Sequence, residues 1–306
     1  VSHGGAGKTS LVEAFLFNSN AVTRLGKVDD GTATTDFEPE EMKRKVTISS
    51  ALAPVEWKEH KVNFIDTPGK ADFVAEVHSA LRAADSVLVT LCAAAGVEVE
   101  TEKAWQYAED LGLPRIAFIN KMDRENADFD AVVETMKAKF GNSVVPIQLP
   151  IGSEDSFKGV IDLVRMKAYM PKETEIPADM QETAELARTM LMETAAEADD
   201  DLLAKYLDGE ELTSDEIHTG LIKGMEQTKI FPVLCGSAYK NMGIAPTLDA
   251  IIAYVPSPEK RVVTGVHPQT KADVERKSGD PFAAFVFKTT ADPFVGRLSF
   301  IRVFSG

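Results

Sequence analysis

Apolar positions come in two rhythms over the first 150 residues. Residues 61–66, 86–92 and 114–120 are short, nearly continuous apolar runs of strand length. Residues 47–57 are strand-like too, joined to 61–66 by the polar turn Lys58-Glu59-His60. Residues 8–17, 71–83, 98–111 and 127–140 carry the mixed pattern of helices. Between the first helix and the first strand, residues 25–45 are polar, charged and interrupted by Gly and Pro, which predicts a long mobile loop. Strands alternating with helices of this length predict an α/β fold, with a mostly parallel sheet and helices on both faces.

The rhythm changes after residue 150. Residues 157–170 predict two short strands, and 178–198 and 213–228 predict acidic amphipathic helices. Asp199-Asp200-Asp201 is placed near a helix start, where negative charge suits the helix dipole. The α/β rhythm resumes with a strand at 230–235 and a helix at 245–254, and Pro256-Ser257-Pro258 breaks it. Residues 259–279 are polar and linker-like, and 281–289 and 296–304 are β-rich. The expected organisation is one domain from 1–153 and 230–258, an inserted α+β subdomain at 154–229, a linker at 259–279, and the start of an all-β barrel at 280–306. Val1 runs straight into a Gly-rich segment that should follow a complete buried strand, and the barrel stops early. The chain therefore reads as a fragment of a longer protein.

Composition narrows the function. The 306 residues are 44% hydrophobic and 26% charged, enough for a sizeable core and about two domains. A net charge of −15 and a pI near 4.9 exclude a fold-wide basic surface for nucleic acid, though not a local patch. Cys92 and Cys235 both end apolar runs and read as small buried hydrophobes in a reducing compartment. No run reaches the ~18 apolar residues of a membrane span, and no signal peptide opens the chain. The expectation is a cytoplasmic monomer with neither membrane nor DNA as a partner.

Chemistry enters with four motifs in order, each at a strand end or helix start. Ser2-His3-Gly4-Gly5-Ala6-Gly7-Lys8-Thr9 fits the phosphate-loop pattern G-x-x-x-x-G-K-[ST], with Ser2 in place of the first Gly. Small residues let backbone N–H groups curl round phosphate at a helix N-terminus, where Ser10 continues the loop. Lys8 is assigned to the β- and γ-phosphates and Thr9 to Mg²⁺. Asp66-Thr67-Pro68-Gly69 closes a strand; Asp66 can hold Mg²⁺, usually through water, and the Gly69 N–H can approach a γ-phosphate. Thr47, after the charged loop, is the candidate for a third, nucleotide-dependent Mg²⁺ contact. Asn120-Lys121-Met122-Asp123 ends another apolar strand. Asp123 can accept two bonds from guanine, which adenine cannot offer, so GTP and GDP are the expected ligands. Asn120 would tie this loop to the phosphate loop, Lys121 would pack on the base, and backbone N–H groups of Gly236-Ser237-Ala238 could meet guanine O6.

With these residues in hand, the sequence resembles bacterial translation elongation factor G, and more closely its elongation-factor-G-like paralogues, over essentially the whole chain. Phe157-Lys158-Gly159-Val160-Ile161-Asp162-Leu163 resembles the start of that family's inserted subdomain. Asp292-Pro293-Phe294-Val295-Gly296-Arg297-Leu298 resembles the opening of its second, barrel domain. The resemblance implies a P-loop GTPase acting on the ribosome during translocation, with the stalk protein and large-subunit rRNA as partners; the alternatives are a ribosome-associated, nucleotide-dependent regulator with little turnover and a ribosomal-protection or release-type translational GTPase. The acidic helices of the insertion either meet the stalk protein or form a solvated face.

Three positions depart from that family, all around the γ-phosphate. Lys70 stands where the family has a water-positioning His. Gly5 stands where it has an Asp that helps hold a monovalent cation. Gly4 stands where it has a bulky aliphatic residue, half of a hydrophobic gate whose other half Val46 could supply. The expectation is that hydrolysis is slow or uses Lys70 electrostatically, its ammonium supplying positive charge near the β,γ-bridge; the competing reading is a solvent-facing residue at a helix start.

Overall fold

The computed structural model describes residues 1–267, 269–292 and 295–306. The element order is α1 (Lys8–Asn18), α2 (Pro39–Arg44), β1 (Ala51–Trp57), β2 (His60–Asp66), α3 (Val74–Ala83), β3 (Val87–Cys92), α4 (Val99–Asp110), β4 (Arg115–Asn120), α5 (Phe129–Phe140), β5 (Val144–Pro146) and β6 (Gln148–Ile151). Then come β7 (Gly159–Asp162), β8 (Lys167–Tyr169), β9 (Glu173–Thr174), α6 (Gln181–Ala196), α7 (Asp200–Leu207), α8 (Ser214–Glu226), β10 (Phe231–Cys235) and α9 (Ile244–Tyr254). The strands β11 (Val263–Val266), β12 (Asp273–Arg276), β13 (Ala283–Asp292) and β14 (Gly296–Ser305) close the chain.

The apolar runs build the central sheet. Its order is β3-β4-β10-β5, and every neighbouring pair is parallel. β4 and β10 are buried at every position, as strands covered on both faces must be. Helices flank this sheet: α4 packs on β3 and α3, α5 on β5, and α1 on α9. β1 and β2 form a separate antiparallel pair lying on α1. Lys58 and Glu59 join them with left-handed backbone (φ 44° and 65°), the twist that suits a tight hairpin. Val1 lies against β3, its amine donating to the Leu88 carbonyl and its carbonyl accepting from the Thr90 amide.

Residues 148–174 make a second, antiparallel sheet, β6-β7-β8-β9, and α6 packs on α7, α8 and β5. Asp199 caps α7 by accepting from the Asp201 and Leu202 amides. At the far end β13 and β14 form a long antiparallel hairpin with two register shifts. Of the segment resembling the barrel opening, Pro293 and Phe294 lie outside the described residues.

Several expectations shift. The predicted strand 47–57 starts only at Ala51, because the Ile48, Ser49 and Ser50 amides donate to the carboxylates of Glu41 and Glu76 rather than to a neighbouring strand. The loop 25–45 holds the short helix α2 and folds inward, burying Thr35 and Asp36. The linker-like stretch 259–279 contains the antiparallel pair β11–β12. Cys92 and Cys235 are buried free thiols, and burial pushes that of Cys235 up. Among the described residues no helix is long and apolar enough to cross a membrane.

Candidate functional site

Four loops converge where parallel strands end, the usual ligand position in open α/β sheets. In the first, Gly5 and Gly7 adopt left-handed backbone (φ 89° and 88°), which turns the chain into α1 at Lys8. No side chain caps that helix and no acidic residue lies in its first turn, so its positive end is uncompensated. Ala6 is buried and Ser10 half-buried at this end. Lys8 folds back over the loop, donating to the Ser2 carbonyl (3.0 Å) and the His3 carbonyl (2.8 Å). Burial pushes its ammonium down to about 8, against the pull of Asp66. The ring of His3 instead anchors the loop to α4: Nδ1 is 2.8 Å from Thr101 Oγ1, and Nε2 is 3.5 Å from Glu98. Burial lowers the His3 pKa, which favours a neutral imidazole.

Beside the phosphate loop lies an oxygen cluster. Asp66 ends β2, and its Oδ2 accepts from Thr9 Oγ1 (2.7 Å) and Thr35 Oγ1 (3.0 Å). Thr47 Oγ1 is 2.9 Å from Thr9 Oγ1 and donates to Asp36 Oδ1 at 2.8 Å. The other oxygens, Asp66 Oδ1 and Asp36 Oδ2, are buried without a hydrogen-bond partner. Burial pushes both carboxyls up, Asp36 to about 6. Buried carboxylates with idle oxygens beside threonine hydroxyls suit a hard cation. Among the described residues no group of three or more His, Cys, Asp or Glu could hold a metal. The Asp66 carboxylate, with an idle oxygen beside the Thr9 and Thr47 hydroxyls, fits Mg²⁺, which typically takes only one or two protein carboxylates and completes its shell with water and substrate phosphate. The sequence expectation gathered Thr9, Thr47 and Asp66 here; it missed Thr35 and Asp36. No local signal marked them, since the same loop carries Asp29, Asp30, Thr32 and Thr34.

The third loop presses on the first. A Cβ at Gly69 would stand 2.3 Å from Lys8 Nζ, 2.6 Å from the His3 carbonyl oxygen and 2.7 Å from the Gly4 nitrogen. Only a bare backbone fits there. Lys70 follows with extended backbone and is exposed, and among the described residues its side chain has no hydrogen bond or ion pair. It neighbours Gly4: a Cβ on Gly4 would lie 3.8 Å from Lys70 Cγ. Val46 is half-buried.

The fourth convergence centres on Asn120, 1% exposed at the end of β4. Its Nδ2 donates to the carbonyls of Ala6 (3.0 Å) and Gly7 (3.3 Å), and its Oδ1 accepts from the Lys121 (2.8 Å) and Ala238 (3.0 Å) amides. One amide side chain thus ties three loops. Lys121 takes left-handed backbone (φ 66°) and sends its ammonium to the Gly5 carbonyl. Asp123 Oδ1 is buried with no partner, an acceptor held in reserve. The amides of Gly236, Ser237 and Ala238 are already engaged, with the Ile119 carbonyl, the Met242 carbonyl and Asn120 Oδ1. Any base oxygen at Ala238 would compete with Asn120.

A glycine-rich turn opening a helix, a carboxylate–hydroxyl cluster beside it and an idle aspartate at the next strand end place the chain among the P-loop GTPases. The family model of the elongation factor Tu GTP binding domain matches residues 1–257, so the chain belongs to that family of GTP-binding domains. Its members bind GTP and GDP, typically with Mg²⁺, and hydrolyse GTP. The crystal structure of ttk003000868 from Thermus thermophilus is similar, with a TM-score of 0.89 and 35% sequence identity. The match covers 100% of this chain and 44% of that one, so the chain spans less than half the length of that protein.

Proposed function

We propose that this chain is the nucleotide-binding part of a ribosome-acting GTPase of the elongation factor G type, most like the elongation-factor-G-like paralogues. The observation that carries this is the cluster of Thr9, Thr47 and Asp66 pressed against a phosphate loop, with Asp123 idle at the base end. Residues 1–153 and 230–258 form the GTP-binding domain, 154–229 the insertion, 259–279 the linker and 280–306 the start of the barrel. The ribosomal stalk protein and large-subunit rRNA are the expected partners, in the cytoplasm.

In this reading, residues 3–10 and the Gly69 amide surround the phosphates, with Lys8 neutralising their charge. Asp123 accepts from guanine, Lys121 packs on the base, and residues 236–238 shape the base loop while Asn120 holds it to the phosphate loop. Thr9, Thr47 and Asp66 hold Mg²⁺, which supplies charge neutralisation at the phosphates. Thr47 sits beside Thr9 and just before the start of β1, so its loop can close on the nucleotide and open again. Phosphoryl transfer needs positioning and charge more than a strong base. Lys70 is a poor acceptor for a water proton at neutral pH. Its stem lies beside Gly4, and Gly5 offers no side chain to hold a cation, so the Lys70 ammonium supplies positive charge near the transferring phosphate and hydrolysis is slow. The exposure of Lys70 favours one competing function, a nucleotide-controlled ribosome-binding regulator with little turnover.

Fluorescent GDP and GTP-analogue titrations with Mg²⁺ test the binding half, and single-turnover hydrolysis with ribosomes tests the catalytic half. Lys70→Ala is expected to slow hydrolysis, and Lys70→His to match or exceed the parent. Parent-like hydrolysis by Lys70→Ala would refute the charge role. Absence of ribosome-stimulated turnover in every variant would favour the regulator.

A further inference from the structure

The hairpin β13–β14 sends a cation into the nucleotide domain. The Lys288 side chain on β13 is only 8% exposed, and its Nζ lies 3.8 Å from Glu76 Oε2 on α3. It donates to Ser49 Oγ (2.5 Å) and to the Ser50 carbonyl, and sits 5.8 Å from the centre of the Phe37 ring. The segment it grips is otherwise held by two carboxylates. Glu41, fully buried, accepts the Ile48 and Ser49 amides at 2.9 and 3.0 Å. Glu76 accepts the Ser50 amide and hydroxyl at 2.7 and 2.6 Å. An ammonium is what such an acidic clamp lacks: it offsets the charge and fills the remaining acceptors.

Thr47 immediately precedes this clamped segment. On its other side α2 ends at Arg44, Lys45 takes left-handed backbone (φ 55°) and is exposed, and Val46 is half-buried. The Thr47 hydroxyl itself meets Asp36 and Thr9, and the Val46 amide donates to the Glu41 carbonyl; on the C-terminal side the backbone of Thr47 is fixed by residues 48–50. We infer that Lys288 is a positioning residue for Thr47, acting from the β-rich segment to hold residues 48–50 so that the Thr47 hydroxyl stays at the metal-binding cluster. This deepens the proposed function and rests on it. Because Thr47 is the contact made with GTP and released with GDP, docking of the hairpin and binding of the triphosphate favour each other, by the same factor in both directions.

The hairpin has other moorings away from residues 47–50. Arg82 lies over the Phe285 ring at 5.0 Å, and Asp85 holds Arg302 at 2.8 Å. Those contacts survive removal of the Lys288 ammonium.

Lys288→Met keeps the apolar stem and deletes the charge. The measurement is the affinity of fluorescent GDP and of a non-hydrolysable GTP analogue, with Mg²⁺, on the whole chain. The expected result is an about tenfold loss for the analogue, the size of a lost charge-assisted hydrogen bond, with GDP affinity unchanged. Lys288→Arg should recover most of the loss. Ser49→Ala should give a smaller loss of the same kind, and adding it to Lys288→Met should cost nothing more. Equal losses for both nucleotides, or no loss for either, would overturn the inference; the first would make Lys288 a purely structural residue. A parent that binds neither nucleotide would remove the proposed function itself and this inference with it. If Lys288→Met does not unfold cooperatively, Lys288→Arg and Ser49→Ala decide the matter by the same analogue-to-GDP ratio.

Discussion

Replacing Gly69 with Ala adds one methyl group where the third loop meets the phosphate loop. That methyl carbon would be 2.6 Å from the His3 carbonyl oxygen and 2.7 Å from the Gly4 nitrogen, where ordinary contact begins at 3.4 Å. The Lys8 ammonium, 2.3 Å away, can swing aside, but the other two atoms are backbone. They must retreat by most of an ångström, and they belong to the loop that would hold phosphate. Overpacking of this kind costs about 1–3 kcal/mol, which corresponds to a loss of nucleotide affinity of about fivefold to 150-fold if the bound form needs the loop where it is. Two neighbouring glycines serve as controls. At Gly4 the nearest atoms to an added Cβ are 3.7 and 3.8 Å away, so Gly4→Ala should change binding and stability by no more than about 0.5 kcal/mol. At Gly5 the space is open but φ is 89°, so Gly5→Ala should lose about 1–2 kcal/mol of stability through backbone strain. Thermal unfolding and fluorescent-GDP titration of all three variants give the order. Parent-like GDP binding by Gly69→Ala, or a larger loss in Gly4→Ala than in Gly69→Ala, would refute the close-approach reasoning.

Three further outcomes are expected. Asn120→Ala removes four hydrogen bonds among three loops; at about 1 kcal/mol each it should destabilise the chain by roughly 2–4 kcal/mol, and an unchanged melting temperature would contradict that. Asp123→Asn should shift preference from guanine toward xanthine nucleotides, and competition binding that shows no change of selectivity would remove Asp123 from base recognition. Glu216 is held down to about 2, first by the Lys205 ammonium and then by the Thr213 amide and hydroxyl, from an ordinary value of 4.5. A depressed carboxyl stabilises the fold fully above pH 4.5 and loses that contribution as pH falls toward 2. Between those limits the parent should therefore lose stability more steeply than Glu216→Gln, and parallel melting curves would show the reasoning to be wrong.

The elements that were legible in the sequence are those where one physical demand dominates. A fully buried strand such as β10, or the stretch Ile116–Ile119 of β4, must be apolar, and a loop folded around phosphate must be small-residued, so both could be read directly. Strand order could not: nothing local in residues 231–235 says that they lie between β4 and β5. The strands β5 and β6 escaped because they are only three and four residues long, too short to carry a strand pattern; β1 and β10 were read although each contains a proline, Pro54 or Pro232. The helix α2 was hidden inside a charged loop, although Pro39 at its first turn and the Glu41 carboxylate returning to the Glu38 amide are ordinary start signals. Thr35 and Asp36 looked like solvent-facing polar residues. Thr35 is buried by meeting Asp66, 31 positions along the chain, and Asp36 by meeting Thr47, 11 positions along; no local pattern encodes such meetings. The pair β11–β12 is largely exposed, so it left no apolar signature in residues 259–279.

The hairpin β1–β2 links two of the loops that build the site. Its register sets Ala51 opposite Asp66 at one end and Trp57 opposite His60 at the other. Both loops hang from the same end: the segment carrying Thr47 enters β1 there, and the loop carrying Gly69 leaves β2 there. The ribbon is thus a ruler between them. A residue added at the Lys58-Glu59 turn lengthens the far tip and leaves the near end alone. A residue added within either strand flips every side chain beyond it to the opposite face and moves Thr47 relative to Asp66. Tolerance to insertion should therefore be high at the tip and absent along the strands, although both stretches belong to one short hairpin.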